Sequence, residues 1–318
     1  MPHNDITDVP GIKVGHAHDL DALTGVTAIL ATEGATVGVA VEGSAPGTRE
    51  TDLCRPGNLV EQAHAVLLCG GSAFGLAAAD GAMRYLAEQG IGFATGAAVV
   101  PIVPAAVLYD LAVGRPDVQP DAAMGRAACE AATDGPIAQG CVGAGAGCTA
   151  GKLLGIQLAT KTGIGSASVN VAGVVVGAIV AVNPMGDVRD GGQIIAGARR
   201  PDGTGFADTT QLLLGGAEAI GALLAGQNTT IGVVAVGAQL TKEEANKVAR
   251  MAHDGLARTI SPIHTMYDGD ALFCLATGGA RADVSAIGTA AALAVEQAVL
   301  RAARAATSLG GLPACGGK

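Results

Sequence analysis

The chain has 318 residues, enough to bury a substantial core, and 49% are hydrophobic, with 49 glycines, 2% aromatic residues and no tryptophan. The glycine has no three-residue period, which excludes collagen, and the hydrophobic content set against low charge excludes a disordered chain. A net charge of −9 without any Lys/Arg run removes the attraction to phosphate backbones on which nucleic-acid binding depends.

The opening run MPHNDITDVPGIKVGHAHD has neither the basic start nor the apolar stretch of a leader, and no eighteen apolar residues run without glycine-rich or polar breaks. A cytoplasmic protein with no membrane partner is expected. Short β-rich runs at 26–31 and 37–41 come first, then a helix over 73–88 opened by Gly70-Gly71-Ser72, and a second helix over 116–133 behind Pro120-Asp121. The apolar run VAGVVVGAIVAVN at 171–183 reads as a strand buried on both faces. Residues 184–208 turn polar and rich in Gly and Pro, as a long exposed loop, and 209–225 form a helical pattern ending at Gly226.

The last 90 residues read as a compact unit: a strand at 229–236, a helix from Thr241, a strand at 271–276 and a long alanine-rich helix over 284–306. Thr241-Lys242-Glu243-Glu244 is a capping box, in which hydroxyl and carboxylate satisfy free amides of the first turn. The order of elements suggests buried sheets covered by helices on both outer sides.

Several chemical signatures fail. Seven cysteines, scattered and without a C-x-x-C pair, suggest neither a disulfide framework nor a zinc site. Gly143-Ala144-Gly145-Ala146-Gly147 and Gly163-Ile164-Gly165 misplace the third glycine of a dinucleotide loop, and Gly70-Gly71-Ser72-Ala73-Phe74 has Phe74 where a nucleophile elbow needs glycine. His16 and His18 share a strand face but lack further ligands, and His253 and His264 show no evident partner.

The junction AGQNTTIGVV is different. A helix stops at Gly226 and a β-branched strand begins at Thr229, so the Asn228–Thr229 bond lies in a tight turn of direction where a peptide can be strained. The Thr229 hydroxyl can attack the preceding carbonyl; hydrolysis of the resulting ester would leave an α-amine, of pKa near 8, as base for its own hydroxyl. Taken alone, Thr-Thr does no more than start a strand.

The blocks DITDVPGIKVGHA, GGSAFGLAAADG, VPAAVLYDL, GAGAGCTAGK, KTGIGSASV, VNPMGDV and NTTIGVVAVGAQLTKEEANKVARMAHDGLARTISPIHTMYDGDALFCLATG resemble the DmpA-like self-processing aminopeptidase and amidase family. That family includes β-peptidyl aminopeptidases and the nylon-oligomer endo-hydrolase. The resemblance spans nearly the whole chain and implies an α/β fold, a four-layer αββα sandwich of the DmpA and ornithine-acetyltransferase type. It also implies one domain over 1–318, cut into an α chain of 1–228 and a β chain of 229–318, with no cofactor or metal, and a closed homo-oligomer, a tetramer of αβ units.

Carried across residue by residue, the resemblance gives Thr229 as nucleophile with Asn228 before the cut, and Tyr109, Lys152, Asn183, Asp268 and Asp270 as its partners. Tyr109 reads equally as a buried aromatic. Lys152 would stabilise developing negative charge or keep the threonine amine uncharged, with Lys161 as a rival. Asn183 suits an oxyanion hole, to which the amides of Gly70-Gly71-Ser72 could add. Asp268 and Asp270 would orient the amine and relay its proton, although Asp-Gly-Asp is also turn-like. β-Peptidyl aminopeptidases tend to carry Ser as nucleophile with Ser and Glu for the two Asp, so Thr with Asp-Gly-Asp looks more like the nylon-oligomer branch. The expected activity is hydrolysis of small peptides or linear amides. The alternatives are acyl transfer of the ornithine acetyltransferase kind, β-aminopeptidase activity, and a silent ligand-binding member that never cleaves.

Overall fold

The computed structural model describes residues 3–216 and 227–315. Its main sheet contains β1 (Lys13–Asp19), β2 (Thr24–Val41), β3 (Gly47–Arg49), β4 (Gln62–Cys69), β5 (Ala105–Val107), β6 (Ile164–Val171), β7 (Val174–Asn183), β8 (Thr229–Val236) and β9 (Ala271–Ala276). The order is β6-β7-β8-β9-β2-β4-β5-β3, with β1 paired to β2. Among the described residues the helices are α1 (Ala78–Glu88), α2 (Ala122–Glu130), α3 (Thr209–Leu214), α4 (Lys242–Thr259) and α5 (Val284–Ala305).

Strand β2 joins two half-sheets. Its first half pairs with β1 and β4, its second half with β9, and the register shifts between Leu30 and Ala35, where Gly34 takes a φ of 82° that a side chain would disfavour. The two halves pack face to face: Ile29 and Leu68 from one share a core with Ile179, Val233 and Phe273 from the other. Alternate residues point outward, as the two-residue period of a strand requires. Val26 and Leu67 meet Ala82 and Leu86 of α1, while Val180, Val234 and Leu272 meet Val248 and Leu256 of α4 and Val295 of α5. The result is helix, sheet, sheet, helix: the expected αββα sandwich.

The sequence reading differs from this in several places. The runs 26–31 and 37–41 belong to one strand of 18 residues, because the bulge bends β2 without breaking it. The first helix begins as a 3₁₀ turn over Ser72–Ala77. The second covers only Ala122–Glu130, with Asp121 capping it at the amide of Met124. The strand expected over 171–183 starts at Val174, after a tight hairpin from β6. Part of the expected loop at 184–208 pairs as Asp187–Asp190 with Gln193–Ala196. Of the helix expected over 209–225 the structure gives Thr209–Leu214; residues 217–226, including the stop at Gly226, lie outside the described residues.

The final 90 residues are not a separate unit either. Strands β8 and β9 sit in the interior of the sheet, between β7 and β2. The capping box at Thr241 is formed with both of its hydrogen bonds. The alanine face of α5 is spent within the chain: Ala291, Ala294, Ala298 and Ala302 are buried against β6, β7 and α4. Gly165 and Gly255 allow that approach, since a Cβ there would fall 2.1 Å from the Ala298 carbonyl and 2.3 Å from that of Ala292. Among the described residues α5 alone is long and apolar enough to cross a membrane, and it is a core helix.

Candidate active site

The site forms where three neighbouring strand ends meet. Antiparallel pairing sets Asn183, the last residue of β7, opposite Thr229, the first of β8. Parallel pairing on the other side runs from Asn228 with Asp268 to Ile231 with Ala271, which sets Gly269 beside Thr229. Glycine is required there, since a Cβ on Gly269 would lie 2.9 Å from Thr229 Oγ1 and 2.4 Å from the Ala45 carbonyl oxygen. Asp-Gly-Asp is therefore extended lead-in to β9 and not the turn its composition suggests; the turn falls at Met266-Tyr267.

Thr229 is buried, and its Oγ1 donates to the carbonyl oxygen of Asn228 at 2.5 Å. The same oxygen accepts from the Gly269 amide at 2.9 Å. The hydroxyl thus lies against the peptide bond just upstream of its own residue, and a fixed donor already polarises the carbonyl.

By register, Asp268 and Asp270 project on the face of the sheet opposite the Thr229 hydroxyl, flanking the backbone nitrogens instead. Asp270 Oδ1 accepts from the Thr230 amide at 2.6 Å, and Asp268 Oδ1 from the Met185 amide at 3.1 Å. Burial, with the neighbouring Asp270 adding to it, pushes the Asp268 carboxyl up to about 6. Its folded value exceeds its unfolded one, so between about pH 4 and 6 the folded chain binds more protons there and is destabilised as pH rises through that window. In Asp268→Asn the unfolding midpoint measured in denaturant should depend less on pH across this range; an unchanged slope would show that Asp268 does not titrate there.

Lys152 is fully enclosed. Its Nζ donates to Asn183 Oδ1, the Asn183 carbonyl and the Thr149 carbonyl, each at 2.9 Å. Burial lowers it to about 7, so near neutrality it exchanges between ammonium and amine. Asn183 Oδ1 also takes the Thr149 amide at 3.0 Å, leaving Nδ2 to donate to the Tyr109 carbonyl at 2.9 Å. Lys152 therefore fixes which way the Asn183 amide points, and Tyr109 enters through its backbone. No hydrogen bond joins Lys152 to Thr229; in the intact chain Lys152 touches Asn183 and not the threonine.

Other candidates are placed elsewhere. The rival Lys161 is buried against the carbonyls of Gly145, Cys148 and Thr162. The Gly70, Gly71 and Ser72 amides are already taken by the Gly25 carbonyl, Asp110 Oδ1 and the Leu108 carbonyl, so they cannot serve an oxyanion hole in this conformation. His16 Nδ1 meets the Thr27 hydroxyl and His18 Nδ1 accepts from the Gly143 amide; among the described residues no group of three His, Cys, Asp or Glu is placed to hold a metal. His264 does have a partner: its Nδ1 lies 2.8 Å from Asp270 Oδ2, and its ring meets that of His253 edge-on.

Sequence reasoning missed Gly269, Thr149, His264 and Thr265. Only Gly269 had a legible signal, a glycine set between two acids.

A threonine at a strand head is turned onto its own upstream carbonyl within this sandwich, and the family and relatives that the chain matches are amide hydrolases. Residues 4–314 match the model of peptidase family S58, and the chain belongs to that family. An uncharacterised aminopeptidase of Mycobacterium leprae is 43% identical over 99% of this chain and 94% of its own length. A 6-aminohexanoate-oligomer endohydrolase of Kocuria sp. strain KY2 is 32% identical over 93% of this chain and 85% of its own. In fold, the L-aminopeptidase D-Ala-esterase/amidase of Ochrobactrum anthropi superposes with a TM-score of 0.72 at 20% identity, covering 96% of this chain and 87% of that one.

Proposed function

We propose that the chain cuts itself between Asn228 and Thr229, and that the freed Thr229 then hydrolyses small linear amides such as 6-aminohexanoate oligomers or aminoacyl amides. The observation that carries this reading is the Asn228 carbonyl oxygen held between Thr229 Oγ1 at 2.5 Å and the Gly269 amide at 2.9 Å. In the cut, Oγ1 bonds to the Asn228 carbonyl carbon, the Gly269 amide holds the oxyanion, and the C–N bond breaks as the hydroxyl proton passes to nitrogen. Water then cleaves the ester, leaving an Asn228 carboxylate, the hydroxyl and a free α-amine.

In turnover the amine takes the proton from Oγ1 as the substrate carbonyl is attacked, and returns it to the leaving amine. Asn183, across the strand pair from Thr229, offers its amide to the oxyanion, oriented by Lys152 and the Tyr109 carbonyl. Asp268 and Asp270, on the nitrogen side of the strand, hold the α-amine. Relatives named for aminopeptidase and oligomer endohydrolase activity support the substrate class.

Intact mass of purified protein tests the cut. Two chains of about 22 and about 9 kDa, the residue-proportional shares of 30.9 kDa, are expected from cleavage by Thr229, and a single chain of full mass would overturn it. Profiling the matured protein on aminoacyl-nitroanilides, β-dipeptides and 6-aminohexanoate oligomers, with and without an amine acceptor, separates hydrolysis from acyl transfer and fixes the substrate. A closed homo-oligomer, a tetramer of αβ units, belongs to the same proposal and rests on the family resemblance. Light scattering at micromolar concentration should give a multiple of the chain mass; a monomer would contradict it.

A further inference from the structure

The two carboxylates are themselves held by two consecutive residues. His264 gives Asp270 Oδ2 both its backbone amide, at 3.2 Å, and its imidazole Nδ1, at 2.8 Å. Thr265 gives Asp268 Oδ2 both its amide, at 3.2 Å, and its hydroxyl, at 2.5 Å. The other oxygen of each acid is spent on Thr230 or Met185, beside the nucleophile. His264 takes a φ of 57°, a left-handed conformation that Asn and Gly accept readily. Behind it His253, from α4, packs its ring at 4.8 Å and sets Nε2 against the Ala40 carbonyl.

We propose that His264 and Thr265 form a positioning clamp that fixes Asp270 and Asp268 against the backbone of the nucleophile, so that neither acid swings away when Asn228–Thr229 is cut. Cleavage removes the peptide link that ties Thr229 to Asn228, and the new ammonium must then find both acids in place. The clamp rests on the reading of Thr229 given above. Neither clamp residue contacts the scissile carbonyl, so their effect runs through the acids. Asp268 faces Asp270 from its own segment and Lys152 from the loop after Thr149, with the Thr265 hydroxyl lowering its proton affinity. Asp270 faces His264, with His253 behind.

The test compares matured His264→Phe, His264→Gly and Thr265→Val, which lack the side-chain donor, with His264→Asn and Thr265→Ser, which keep one. Asn Nδ2 falls near the position of imidazole Nδ1. The donor-less variants should lose about tenfold or more in kcat with KM little changed, and the donor-keeping pair should recover most of it. In Thr265→Val the acid limb of kcat should also move to higher pH, and in Thr265→Ser return. If His264→Phe does not fold, judged by its melting curve, His264→Gly carries the comparison. Donor-less variants at wild-type kcat, or His264→Asn as poor as His264→Phe, would overturn the clamp while an inactive Thr229→Ala leaves the nucleophile standing. An active Thr229→Ala would overturn both.

Discussion

Thr229→Ala should remain a single chain of full mass and show no turnover above background. The substitution removes the one oxygen that lies on the Asn228 carbonyl, at 2.5 Å, and leaves the Gly269 amide polarising a bond that nothing attacks. The cost to the fold should be small, because alanine keeps the backbone that pairs with Asn183 and retains a Cβ in a site already closed. A loss of about 10⁴-fold or more is the scale for removing a nucleophile that acts as a unit with its base. Thr229→Ser separates attack from packing: the hydroxyl remains, so the chain should still cut itself. A Thr229→Ala chain that matures normally would move the nucleophile elsewhere.

Asp268→Asn and Asp270→Asn should each lower kcat by about a hundredfold or more, the scale of a lost acid–base partner. Each acid accepts from two backbone amides and one side chain: Met185, Thr265 and the Thr265 hydroxyl for Asp268; Thr230, His264 and the His264 ring for Asp270. An asparagine has one acceptor oxygen where the acid has two, so its NH₂ must face a backbone donor. A buried donor stranded in this way costs roughly 1–3 kcal/mol, so both variants should also melt earlier. Turnover must therefore be measured on the matured, folded fraction, with KM reported beside kcat. The expected result is a fall in kcat at nearly constant KM. If both matured variants keep wild-type turnover, the acids are only scaffold and the chemistry must be redrawn around Lys152 and Asn183.

Much of this site was legible because its residues sit at element ends, where local sequence speaks. The β-branched start at Thr229, the apolar run closing on Asn183 and the capping box at Thr241 each announced an element that the structure forms. What joins them was not legible. The 40-residue offset that brings Gly269 beside Thr229 is a property of parallel pairing, which no local pattern encodes. Asp-Gly-Asp looked like a turn because composition cannot distinguish a glycine needed for bending from one needed for clearance. The Gly-Gly-Ser amides looked free at a helix start, but Asp110 and two distant carbonyls take them, contacts that exist only once the half-sheets fold together. The alanine pattern of α5 does not say what the helix packs against, because small side chains serve a tight interior contact as well as an intersubunit one. Lys152 and Lys161 are alike in sequence surroundings and both buried; only the bond to Asn183 tells them apart.

The most direct measurement is to quench the wild-type protein during turnover of a slow ester or amide substrate and map the covalent adduct by peptide mass. The account predicts an acyl group on a peptide that begins at Thr229, with that threonine as the N-terminus of the smaller chain. An adduct on any other residue, or on a Thr229 still joined to Asn228, would contradict it.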